Sequence, residues 1–263
     1  MTGVILAAGR GGRLREVAGN RPKCLLDISG WTLLERQIHA LRACGVDRIA
    51  VVAGYQADHV RRAVDGEAGV HIVHNERYAT TNSVYSLWLA QRWLGNGCVI
   101  LNADVLFHEQ MLVDLLTARY EDALLVDARG DGYCDEDMKV CIRRGRLTAI
   151  AKTLPADQTD AENVGIAKFG PAGARMLIDD AARVIEQGGA GQWLPAAYAE
   201  LCQRRPLHAV ESRGFPWIEI DFPDDYRRAC ADVAPAIDAT STLGPPVLND
   251  IDADASRSTR CHV

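Results

Sequence analysis

Through about residue 128 the chain alternates apolar runs of strand length with segments of helical period, and that alternation leaves few folds open. The runs VILA, RIAVVAG, VHIVHN, CVILNAD and ALLVDA read as buried strands. Between them, WTLLERQIHALRACGV places Leu34, Ile38, Leu41 and Val46 near helical spacing, with Gly45 as a stop. QADHVRRAVDG and EQMLVDLLTARY repeat the period. TTNSVYSLWLAQRWLG opens on the N-cap candidates Thr81 and Asn82 and carries Val84, Leu87, Trp88 and Leu94 on one face, with Tyr85 and Trp88 expected in the core. Strands that alternate with helices need crossover connections. The expected fold is therefore α/β, a Rossmann-like, mostly parallel mixed sheet with helices on both faces.

The pattern changes afterwards. MKVCIRRGRLTAIAK reads as strand, tight Arg-Gly turn and strand, a β-hairpin in place of a crossover. VGIAKF predicts one further strand, residues 171 to 187 and 192 to 204 two helices, WIEID a last strand, and Pro223 the first turn of a closing helix. Residues 1 to 232 are expected to form a single domain. Residues 233 to 263, with two adjacent prolines and no sustained period, are expected to be a poorly ordered tail.

Composition excludes several function classes. A net charge of -6 with interspersed signs offers no basic face for nucleic acid. Eight cysteines without a Cys-x-x-Cys pair suggest reduced thiols. No apolar run approaches the ~18 residues of a membrane span. The expectation is a cytoplasmic protein whose partners are small molecules or other copies of itself, a homodimer among them.

Glycines and cations follow the first strand in VILAAGRGGRLREVAGNRPKCLL. A P-loop would need Gly-Lys-Ser/Thr, and no lysine follows these glycines before Lys23. A dinucleotide fingerprint would need a third glycine where Leu14 stands. What remains is an anion-facing loop with Arg10, Arg13 and, after Pro22, Lys23.

Open α/β sheets bind ligands beyond the carboxyl ends of their strands. Asp104 ends one buried run, and the period of two in WIEID puts Trp217, Glu219 and Asp221 on one face. A magnesium ion on a nucleotide needs one or two protein carboxylates, which Asp104 and Asp221 could supply. Singly, each would be an ordinary turn carboxylate or solvated cation. Together they point to nucleotidyl transfer, in which an anionic phosphate oxygen attacks an α-phosphate and catalysis rests on positioning and charge neutralisation.

LAAGRGGRL followed by RPKCLL resembles the nucleotidyltransferases that join a nucleoside triphosphate to a phosphate ester. With HNERYATTNSVYSLWLA, NADVLF, MKV, VGIAKF and WIEIDFPDDY, residues 1 to about 230 are similar to cytidylyltransferases of the bacterial phosphocholine type and their phosphonoalkyl relatives. The resemblance implies the nucleotide-diphospho-sugar transferase type of fold, with the hairpin as an acceptor-side insertion. It implies nucleotide contacts at Leu6, Ala7, Ala8, Gly9, Gly11, Asn82, Ser83 and Asn102. Arg13 and Lys23 would clamp the triphosphate, Lys152 would meet the acceptor phosphate, and Asp104 and Asp221 would hold Mg2+. Gly12 stands where Ser or Thr is usual, and Asn102 where the first acid of an Asp-x-Asp pair occurs.

For the acceptor, Tyr78, Glu162 and Trp217 are candidate contacts. Tyr133, Trp193 and the run Asp135-Glu136-Asp137 offer further aromatic faces and charge for an ammonium group. The favoured reaction is CMP transfer from CTP to a phosphocholine-like or alkylphosphonate acceptor. A sugar-1-phosphate nucleotidyltransferase using UTP, dTTP or GTP, and a non-catalytic nucleotide-binding relative, stay open. A molybdopterin-type enzyme ranks below these, because its lysine follows the arginine more closely.

Overall fold

The computed structural model describes residues 1–128 and 132–243. Its strands are β1 (Thr2–Ala7), β2 (Asp27–Ile28), β3 (Trp31–Thr32), β4 (Ile49–Ala53), β5 (Val70–His74), β6 (Cys98–Asn102) and β7 (Val105–Phe107). They continue as β8 (Ala123–Asp127), β9 (Lys139–Arg143), β10 (Arg146–Ala151), β11 (Ala161–Phe169), β12 (His208–Glu211) and β13 (Trp217–Glu219). Among the described residues nine of them form one sheet, in the order β5-β4-β1-β6-β11-β8-β12-β10-β9.

The sheet is parallel from β5 to β6, as the alternation predicts, and β11 then runs antiparallel to both β6 and β8. Beyond it, among the described residues, only β8 and β12 pair in parallel, so the parallel character belongs to the N-terminal half. The predicted hairpin is β9 and β10, turning through Arg144 and Gly145 at positive φ, as a tight two-residue hairpin turn requires.

Helices cover both faces because both faces of the central strands are apolar. Val4, Val52 and Ile100 pack beneath helices Ser83–Leu89, Pro171–Glu186 and Pro195–Cys202, burying Leu87, Leu177 and Leu201. Ile5, Val51 and Leu101 face helices Leu33–Ala43, Ala57–Ala63 and Glu109–Thr117. The first of these starts in a capping box, with Thr32 and Glu35 bonding each other's backbone N–H, and stops before Gly45 at φ +74°. Tyr85 and Trp88 are half-buried with ring centroids 5.6 Å apart, a surface pair rather than core.

A third, smaller core joins Leu14, Leu26 and Ile28 of the opening loop to Ile218, Ile220, Ala229, Ala234 and Ile237. It corrects the expected boundary of the tail. Residues Ala234–Thr240 are helical after a π-turn at Ala229–Val233, because Ala234 and Ile237 have this core to enter. The remainder of the expected tail, 244 to 263, lies outside the described residues. Among the described residues no helix is long and apolar enough to cross a membrane.

Candidate active site

Strand order decides where a ligand can sit. The chain leaves β1 toward β4 and β5 on one side, then returns to β6 on the other, so a crevice opens beyond the carboxyl ends of β1 and β6. A cleft of about 270 Å³ lies there, lined by Leu6, Ala7, Ala8 and Gly9 from the end of β1 and by Asn102, Ala103 and Asp104 from the end of β6.

The opening loop bends at Gly11, whose φ of +56° is the left-handed region and whose added Cβ would stand 3.1 Å from Lys23 Cβ. Glycine there lets the loop pack against the lysine. Pro22 closes the next turn by accepting from Leu25 N at 2.9 Å, and this sets Lys23 facing the cleft. Gly165, at φ +85°, plays the same part on β11, since a Cβ would lie 2.8 Å from Asn102 Nδ2.

Asp104 and Asp221 meet through a short antiparallel ladder. β13 pairs with β7 in the register Glu219 to Val105, and Ile220 N donates to Asp104 O at 3.0 Å. Ile218 and Ile220 turn into the third core, while Glu219 and Asp221 face the cleft. Lys23 Nζ donates to Asp104 Oδ2 at 2.9 Å and to Asp221 Oδ1 at 2.5 Å. Oxygens of Asp104, Glu219 and Asp221 lie within 4.8 Å of one another.

Three carboxylates around one ammonium shape the electrostatics. Burial alone would lower the Lys23 pKa, but Asp104 and Asp221 outweigh it and hold the ammonium above its ordinary value. Burial acts to raise Asp221, yet Lys23, with help from Arg13 and Lys152, draws it below the usual carboxylate range. Burial, then the charges of Asp104 and Asp221, push Glu219 up to about 8. Cys24 also lines the cleft, but burial pushes its thiol up to about 12, which excludes it as a nucleophile near neutral pH.

The donor set fits a hard divalent cation. All three groups offer carboxylate oxygens, and Asp104 Oδ1 is buried with no hydrogen-bond partner among the described residues. Asp104 and Asp221 would hold the ion, with Glu219 beside them.

A second set of charges spans the mouth. Glu136 Oε2 lies 3.2 Å from Lys152 Nζ and 3.4 Å from Arg13 NH1, and Lys152 followed by Arg13 holds its carboxyl below the ordinary value. Arg13 stands 3.9 Å from Asp221 and stacks 4.9 Å from the Phe222 ring; Lys152 Nζ lies 5.0 Å from the Trp193 ring.

Of the residues expected from the sequence, Leu6, Ala7, Ala8, Gly9, Gly11, Lys23, Tyr78, Asn82, Ser83, Asn102, Asp104, Lys152 and Asp221 line the cleft, and Arg13 reaches it through Glu136 and Asp221. Asn82 also caps its helix, accepting from Ser83 N at 2.8 Å. Glu136 and Trp193 line the cleft as well.

Two of the expected acceptor contacts do not line the cleft, although the charge of one, Glu162, reaches Glu219. Glu162 is buried within the sheet, paired in register with Asp127 and Lys139, and Trp217 packs against the second core one strand repeat inward from Glu219. Tyr133 donates to Asp160 O and does not line the cleft. Asn75, Ser86 and Glu219, for which no role is expected from the sequence, do line it. Asn75 and Ser86 stand inside the HNERY and NSVYSL blocks, and Glu219 on the acidic face of WIEID.

A family model described as the MobA-like NTP transferase domain matches residues 3–214. The choline-phosphate cytidylyltransferase of Streptococcus pneumoniae is 34% identical over 157 residues, 56% of this chain and 67% of that protein. The CTP:phosphoglutamine cytidylyltransferase of Campylobacter jejuni is 26% identical over 184 residues, 64% of this chain and 73% of that one. The solved inositol-1-phosphate CTP transferase from T. maritima superposes with a TM-score of 0.74 at 20% identity, covering 92% of this chain and 98% of that one, a likeness of fold.

Proposed function

The chain belongs to the family of MobA-like NTP transferase domains, and we propose that it transfers CMP from CTP to a small phosphate or phosphonate acceptor, releasing pyrophosphate. The observation that carries the reading is Lys23, held between Asp104 and Asp221 where the glycine-bearing loop meets the switch point of the sheet. Two of its relatives named above are cytidylyltransferases, which favours CTP as donor.

In this reaction an acceptor oxygen forms a bond to the α-phosphorus of CTP, and the bond from that phosphorus to the oxygen bridging it to the β-phosphorus breaks. The nucleophile is already anionic near neutral pH, so no side chain need remove a proton. Lys23 and Arg13 offset the charge that grows on departing pyrophosphate. Lys152, on the acceptor side, orients the incoming phosphate or phosphonate. A magnesium ion on Asp104 and Asp221 would supply further charge neutralisation at the triphosphate oxygens. Glycines 9 and 11 let the backbone approach the phosphates closely.

A pyrophosphate-release screen tests the reading directly. CTP, UTP, ATP and GTP are each paired with choline phosphate, aminoalkylphosphonates and sugar 1-phosphates. Turnover with CTP and an acceptor of the first two kinds is expected. Turnover with UTP and a sugar 1-phosphate alone would replace the reading with sugar-nucleotide synthesis, and silence across the screen would favour a non-catalytic relative.

A further inference from the structure

A buried hydroxyl in the cleft has its hydrogen-bonding direction set by its neighbours. Arg77 N donates to Asn75 Oδ1 at 3.0 Å, which fixes which end of that buried amide carries the oxygen. Asn75 Nδ2 therefore donates, to Ser86 Oγ at 3.1 Å and to Thr81 Oγ1 at 3.2 Å. Thr81 passes its own hydrogen to Arg77 O at 2.8 Å. Ser86 is 3% exposed, lines the cleft, and has no acceptor for its hydrogen among the described residues. A buried donor left unpaired calls for an acceptor from the ligand.

Lys23, Asp104, Glu136, Lys152, Glu219 and Asp221 supply the charge of the lining. Ser86 instead bonds Asn75, whose backbone oxygen accepts from Tyr78 N, and Tyr78 stands with Ala8 O beside Gly54, so Ser86 belongs to an uncharged set of neighbours. Of the uncharged parts of a nucleoside triphosphate, the ribose hydroxyls can pair with a hydroxyl in either direction, whereas the edge of the base has fixed donors and acceptors. Cytosine and uracil differ at N3, which carries a lone pair in the first and a hydrogen in the second. A hydroxyl that accepts from Asn75 and donates to cytosine N3 has every bond made. Accepting from uracil N3–H would leave its own hydrogen buried and unpaired, a penalty paid only with the wrong base.

We propose that Ser86, oriented by Asn75, donates to N3 of the cytosine base and so selects CTP over UTP. This rests on the reading of the cleft as a CTP site. The experiment needs no acceptor: CTP and UTP are each titrated calorimetrically into wild type, Ser86→Ala and Ser86→Cys in magnesium buffer, with melting temperatures recorded. The cysteine variant keeps the size of the side chain while weakening the donor, and serves if the alanine variant fails to fold.

Wild type should bind CTP more tightly than UTP, and in both variants the ratio of affinities should fall by about ten-fold, chiefly through CTP. A folded variant that keeps the wild-type ratio, or a wild type that binds both alike, would overturn the assignment while leaving the cytidylyltransferase reading intact. A wild type that binds neither pyrimidine triphosphate would sink the functional reading itself.

Discussion

Lys23 Nζ and Asp221 Oδ1 stand 2.5 Å apart, a bond between residues separated by 198 positions that closes the opening loop onto the end of the last strand. In the proposed reaction the loop would bring the cation for the triphosphate, and the strand a carboxylate for a metal ion. Lys23→Ala should lower kcat for pyrophosphate release about 10²–10³-fold, the range for loss of one preorganised charge-stabilising group. Steady-state kinetics at saturating CTP check this, and a near wild-type kcat would remove Lys23 from the reaction.

Glu219 makes the metal-free protein sensitive to pH. Its folded carboxyl titrates near 8 against an ordinary value of 4.5, so between those values the folded chain holds a proton that the unfolded chain has released. Stability in EDTA should therefore fall as pH rises through that window and level off above it. Melting temperature reads the change at about 2–4 °C for each kcal/mol in a chain of this size. Glu219→Gln should flatten the slope, and an unchanged slope would contradict the assignment.

Glu136 occupies Arg13 and Lys152, the two cations assigned to substrate phosphates. Exposed ion pairs are weak and screened by salt, so the competition should be modest. Glu136→Ala should lower the KM for CTP about two- to five-fold at low salt, with the difference shrinking at high salt. A raised KM would show that Glu136 helps to bind substrate.

Much of this architecture was legible in the sequence because each central strand is a contiguous apolar run, buried on both faces, between helices of clear period. The opening loop, Asp104 and Asp221 were legible as residues following such runs. That Asp104 and Asp221 act as a pair was expected too, but the ladder that joins them was not legible. It depends on β7 and β13, strands of three residues each, too short for a period to show their pairing. Glu219 shared the acidic face of WIEID, but only that ladder shows how near it comes to Asp104. β12, with His208, Ala209 and Val210 all half-buried, gives no clean alternation. The helix Ala234–Thr240 falls in the expected tail because it is too short to show a sustained period and its buried side chains reduce to Ala234 and Ile237; Pro235 sits in its first turn.

That helix is part of the fold. Ile237 is 4% exposed and packs with Leu14, Leu26 and Ile220, so Ile237→Ala should destabilise the protein by about 2–5 kcal/mol. Denaturant unfolding checks the value. A loss near zero would return residues 234–240 to the tail.

The central claim is that a cytidylyl group passes to a small phosphate or phosphonate acceptor at the carboxylates beside Lys23. Mass spectrometry of the products of wild type and Asp104→Ala, each given CTP, magnesium, choline phosphate and an aminoalkylphosphonate, tests it most directly. The account predicts a CMP–acceptor adduct, one for each pyrophosphate released, from wild type, and none from the variant. Formation of the adduct at full rate by Asp104→Ala, or its absence from wild type while UTP and a sugar 1-phosphate are joined, would contradict it.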